Sequence, residues 1–210
     1  MIWWQLLIGC FCVSSSLAGQ ELALLYQTKP TFKEDSRIDD AYFKEYYIEK
    51  QEDAFVIYAV KECQLDFKLL VDLFNDFEKL QDFMPGYRSV EVMMSIPDSI
   101  VYTGINFRPG FSPKMAQFTN RVEISSDTTC YVQYWKQLNE ESPEVLVHNK
   151  NAPIQNRGYW KVSLLPNNTI QLEYYLVIQP VETIPGWLYK FIAKSAYKKV
   201  FKAVISEIET

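Results

Sequence analysis

The sequence predicts an α+β fold: an antiparallel seven-stranded sheet, curved into a cup, that grips one long C-terminal helix. Three observations predict it. Seven β-branched and aromatic runs are separated by turn signals. The last two, 159–165 and 170–179, flank a Pro-Asn-Asn turn, and their apolar and polar residues alternate. Pro185-Gly186-Trp187 then opens a helical pattern that runs almost to the chain end.

The elements follow in order. Residues 1–20 carry no charged side chain, 6–13 are apolar, and Ser16 and Ala18 occupy the small-residue positions of a signal-peptidase site. The apolar run is shorter than the ~20 residues a bilayer span takes. Residues 1–18 therefore read as a cleaved signal peptide, and the protein as exported, periplasmic or secreted. A lipoprotein box at Leu7-Ile8-Gly9-Cys10 and an uncleaved membrane anchor are the alternatives. Residues 19–52 read as a polar N-terminal extension with helical pieces, and 53–210 as the folded domain. Cleavage would remove Cys10 and Cys12. Cys63 and Cys130 remain and read as buried free thiols, with pairing left open.

Residues 55–63 read as a strand. From 66 to 83 the period becomes helical, with Phe67, Leu70, Val71, Phe74, Phe77 and Leu80 at three- and four-residue steps. Asn75-Asp76 divides this stretch into two short helices, and Pro85-Gly86 ends it. Strands follow at 89–93, 99–107, 117–124 and 130–137. The segment 139–156 is a long connection in which 145–148 extends a strand.

In the hairpin, Trp160, Val162 and Leu164 alternate with Lys161 and Ser163. Leu172, Tyr174, Leu176 and Ile178 alternate with Gln171 and Glu173. One sheet face is therefore apolar and needs cover. The helix supplies it. Leu188, Ile192, Ala196, Val200 and Val204 form an apolar ridge at four-residue steps, and Lys190, Lys194, Lys198 and Lys202 form a second ridge. Pro185 suits the first turn, where its missing N–H has no intrahelical partner to lose.

Two stretches resemble a known family. One is FEKLQDFMPGYRSVEV, from Phe77 to Val92. The other is an ordered set: Gly158-Tyr-Trp-Lys161, then Leu172-Glu-Tyr-Tyr175, Pro180, and Ile184-Pro-Gly-Trp-Leu188. Over residues 55–208 their order resembles the helix-grip fold of the START and polyketide-cyclase/coenzyme-Q-binding (SRPBCC) superfamily. The resemblance implies a deep cavity between sheet and C-terminal helix, holding a lipid, sterol, quinone or polyketide. It implies no particular reaction, because one fold hosts many functions.

The chemistry is sparse. A net charge of −5 gives no basic face for nucleic acid. The single histidine, His148, sits in a polar loop and reads as a surface residue. No Ser-His-Asp set, metal-ligand spacing or phosphate-binding glycine motif is present, so no catalytic residue, metal or cofactor is predicted. Arg121, Glu123, Tyr134 and Tyr174 are the polar groups an enzyme would use, although alternation turns Arg121 and Glu123 outward. Asn167-Asn168-Thr169 forms a glycosylation sequon on a turn.

The leading expectation is a non-enzymatic carrier of a hydrophobic small molecule or lipid. Alternation gives its walls as Phe118, Asn120, Val122, Tyr134, Trp160, Val162, Leu172 and Tyr174, and its lid as Leu188, Ile192 and Ala196, with Asn120 as a polar handle. One rival is a cyclase, dehydratase or hydrolase using the same cavity. Another is an interaction module whose cup its own 13 Phe residues fill. The lysine ridge, beside Trp187 and Tyr189, reads as a solvated face or as a transient seat on an anionic membrane.

Overall fold

Strands β1 (Glu45–Gln51), β2 (Ala54–Cys63), β3 (Tyr87–Ile96), β4 (Ser99–Arg108), β5 (Lys114–Ser126), β6 (Cys130–Gln137), β7 (Gln155–Leu164) and β8 (Ile170–Gln179) form one antiparallel sheet. Their order is β1-β2-β8-β7-β6-β5-β4-β3. Helices α1 (Phe67–Asn75), α2 (Leu80–Phe83) and α3 (Gly186–Glu209) cover one face. This computed structural model describes residues 30–108, 114–139, 147 and 149–209. The expected leader, His148 and most of the expected strand extension at 145–148 lie outside the described residues.

Among the described residues the sheet has eight strands, not the expected seven. The added strand, β1, falls in the stretch expected to hold helical pieces. Its sequence, EYYIEKQ, is charge-rich, but Tyr46 and Ile48 share a buried face. An edge strand pairs on one side only, so it tolerates the charges that hid it. Glu52, at φ 54°, turns the chain into β2.

The helical region divides as expected. Asp66 caps α1 by accepting from the Leu69 N–H at 2.9 Å, and α1 ends at Asn75. Leu70, Leu73 and Phe74 are its buried residues.

Helix α3 has the expected extent but a different inner face. Ala193, Phe201 and Val204 are buried, and Tyr189, Tyr197 and Val200 pack against the core. Leu188 is half-buried, while Ile192 and Ala196 are exposed. The reason is helical geometry: each four-residue step overshoots a 3.6-residue turn by about 40°. A ridge at uniform four-residue steps therefore winds from the outside at Leu188 to the inside at Val204. Mixed three- and four-residue steps, 189-193-197-200-204, stay on one side. Phe201 anchors the helix edge-on to Phe43 at 4.9 Å and to Trp160 at 5.0 Å.

The lysine ridge is tied down rather than freely solvated. Lys190 and Lys194 donate to the Asp35 and Asp39 carbonyls at 3.4 Å, and Lys198 pairs with Asp40 at 2.9 Å. Lys202 lies 5.8 Å from the Tyr42 ring centroid. The segment 32–44 thus forms a strap along α3. Its other anchor is the buried Glu49, whose carboxylate accepts from Lys33 N–H and Ser36 Oγ, both at 3.1 Å.

Cys63 and Cys130 are separate, half-buried thiols. Burial raises both, Cys63 to about 11, so neither is a thiolate at neutral pH.

Candidate functional site

A cavity of about 180 Å³ lies between the sheet, the helical pair and α3. Phe74 of α1 and Leu80 of α2 close one side, and Tyr197 and Val200 of α3 close another. The sheet contributes Tyr102, Val122, Trp135, Trp160 and Tyr174. No carboxylate, ammonium, guanidinium or imidazole group is among the described lining residues. A wider depression of about 360 Å³ lies elsewhere, among Asp72, Asp76, Lys79 and Glu207, and the Lys79–Glu207 ion pair crosses it at 2.7 Å. Its acidic rim does not suit apolar cargo.

The cavity's aromatic wall is continuous. Phe74 stacks on Trp160 at 5.3 Å, Trp160 contacts Tyr174 at 4.5 Å, and Tyr174 contacts Trp135 at 5.6 Å. Polar groups punctuate it. Gln133 donates to the Phe74 carbonyl at 2.7 Å, and the Trp135 indole N–H donates to Asn156 Oδ1 at 3.2 Å. Asn120 Nδ2 donates to the Tyr102 hydroxyl at 3.0 Å, and Tyr102 is also hydrogen-bonded to Tyr87. The side-chain oxygens of Asn106 and Asn120 have no partner among the described residues. Burial raises Tyr87, Tyr102 and Tyr174 above the ordinary phenol range and Tyr197 to about 12. All four are therefore neutral at physiological pH.

The structure is similar to a STAR-related lipid transfer protein from Xanthomonas axonopodis, with TM-score 0.68 and 14% identity over 83% of this chain and 98% of that one. It is similar to human StAR-related lipid transfer protein 5, with TM-score 0.65 and 10% identity over 95% and 97%. It is also similar to the Zhui aromatase/cyclase from a Streptomyces species, with TM-score 0.57 and 13% identity over 74% and 94%. The chain has the START/SRPBCC fold. No family model matches the sequence, and no curated protein does.

Within this START fold the expected site residues separate. Asn120, Val122, Trp160 and Tyr174 line the cavity. Phe118, Val162 and Leu172 are buried, but in the packed core beside it. Tyr134 projects from the opposite face of β6, as its register with Tyr159 requires when Gln133 pairs with Trp160. Sorting β6 by polarity misplaced it, because polar Gln133 faces the cavity and apolar Val132 faces away. Leu188, Ile192 and Ala196 do not line the cavity. Arg121 and Glu123 alternate with Asn120 and Val122, so they lie on the far face, leaving Tyr174 as the one cavity residue of the expected acid–base set. Sequence reasoning missed Tyr87, Tyr102, Asn106, Gln133, Trp135 and Tyr197. Tyr131 and Trp135, four residues apart and so on one face of the strand, were the available signal for β6.

Proposed function

We propose that this protein binds and carries a hydrophobic small molecule or lipid between the sheet and α3. The observation that carries the reading is the cavity itself, walled by aromatic side chains and lined by no described charged group. Apolar burial would drive binding at ~25 cal/mol per Å². Two of the similar structures are named as lipid transfer proteins. The rival enzyme reading asks for a general base poised near neutral pH. Neutral phenols and amides do not supply one, so carriage is favoured.

Native mass spectrometry of the purified protein, followed by organic extraction, tests the reading. A stoichiometric apolar ligand is expected. A clean apo mass, unchanged after incubation with a mixed lipid extract, overturns it. Because no described lining group titrates there, affinity for an uncharged ligand is expected to stay flat from about pH 6 to 9. A bell-shaped profile would point to the enzyme reading.

Delivery would use the outer face of α3. Trp187 and Phe191, one turn apart, are 73% and 77% exposed. Interfacial seating of such side chains beside lysines is the pattern of helices that lie on anionic membranes. Replacing both with Ala is expected to weaken sedimentation with anionic vesicles about tenfold or more, since each buried aromatic contributes ~1.5–3 kcal/mol. Unchanged sedimentation removes membrane docking from the reading. Export is part of the proposal and rests on the apolar leader with Ser16 and Ala18. Mature protein beginning at Gly19 is its expected product.

A further inference from the structure

We infer that the cavity is built for an uncharged apolar molecule carrying a hydroxyl group, and that Asn120 and Tyr102 bind that hydroxyl. The inference rests on the cavity being a ligand site, as proposed above. Asn120 is 2% exposed and lines the cavity, yet its Oδ1 has no partner among the described residues. Buried polar atoms are rarely left so, and an unmet acceptor in an apolar wall is a standing penalty that a suitable guest removes.

Its neighbour supplies the complementary group. Tyr102 faces Asn120 across the β4–β5 ladder and is 4% exposed. Its oxygen accepts from Asn120 Nδ2 at 3.0 Å, and Tyr87 is its second hydrogen-bond neighbour. A phenol that accepts from both still has its own proton to donate. The wall therefore offers one acceptor and one donor side by side. Turning the amide end for end changes which of its atoms meets Tyr102, but still leaves one polar atom for a guest. A hydroxyl fits this pair because it donates and accepts at once.

A carboxylate or phosphate headgroup does not fit. No described lining residue carries a positive charge, so an anion would be desolvated without a partner. Among the described residues, Asn106 Oδ1 is the other unpartnered amide oxygen on the wall. It lies four residues along β4 from Tyr102, about 13 Å away, and does not share this pair.

Calorimetric titration with naphthalene, 2-naphthol and 2-naphthoate tests the inference on three rings of one size. The expected order is naphthol tightest, by about tenfold over naphthalene, with naphthoate weakest. Asn120→Leu and Tyr102→Phe are each expected to bring the naphthol-to-naphthalene ratio to within about twofold. The ratio is read within one protein, so a general loss of packing does not move it. Naphthol no better than naphthalene, naphthoate binding best, or an unchanged ratio in both variants overturns the hydroxyl site while leaving the cavity reading in place. If none of the three binds, the cavity reading falls and the hydroxyl site falls with it.

Discussion

Gly158 shows how closely single residues are fitted around the cavity. A Cβ at this position would come within 2.7 Å of the Trp135 ring and closer still to the Tyr175 carbonyl. That carbonyl belongs to the neighbouring strand and cannot retreat without disturbing the β7–β8 ladder, and Trp135 is a cavity wall. Gly158→Ala is therefore expected to destabilise the fold by about 2–3 kcal/mol, as overpacking does. Urea unfolding would read this as a lower midpoint at unchanged slope. A loss below about 0.5 kcal/mol, the ordinary range for surface changes, would mean that Trp135 moves aside at little cost. The Gly-x-Trp pattern at 158–160 was visible in the sequence, and its packing reason was not, because Trp135 arrives from another strand. Asn120 was legible as a polar residue on an apolar face. Tyr102 was not, since nothing local marks which strands pair.

At the level of elements, composition revealed every strand that is β-rich and hid the one that is charged. Strand β1 reads as surface because it is an edge, and only pairing with β2 makes it part of the sheet. The extent of α3 was legible from Pro185 and the periodicity, whereas its inner face was not. Four-residue ridges drift, and which part of the drift is buried depends on what the helix meets. What it meets includes the strap at 32–44. The strap's acid groups give this contact a pH dependence. Burial pushes Asp40 up, but the hydrogen bonds from Lys198 and the Tyr42 N–H outweigh it, and its pKa falls below 3.8. A depressed carboxylate contributes stability above its unfolded value and loses it as pH falls through the folded one. Asp40→Asn is expected to cost about 1 kcal/mol at pH 7 and almost nothing well below pH 3.8. Thermal melts of both proteins at the two pH values check this. A gap that persists in acid would mean that the strap is held by packing alone.

For the whole molecule, cavity size sets the next constraint. The space between sheet and α3 is about 180 Å³, below the ~300–1,000 Å³ of sites that enclose drug-sized ligands. A compact guest fits as the protein stands, whereas a lipid chain requires α3 to move. Among the described residues, two ion pairs oppose that movement: Lys198–Asp40 on the strap, and Lys79–Glu207, which joins the end of α3 to the segment between α1 and α2. Each partly exposed pair contributes up to about 1 kcal/mol to the closed state. If cargo enters through a sparsely populated open form, the association rate scales with that form's population. Removing both pairs in an Asp40→Asn, Lys79→Ala variant is then expected to speed capture of a fluorescent long-chain lipid about fivefold or more, because ~1 kcal/mol changes a population ratio by that factor. Capture of 2-naphthol, which needs no opening, should keep its rate. Stopped-flow mixing separates the two. Faster uptake of the long lipid alone would establish α3 as the moving lid. Equal rates in the variant and the parent would show that cargo reaches the cavity by a path that leaves both ion pairs intact.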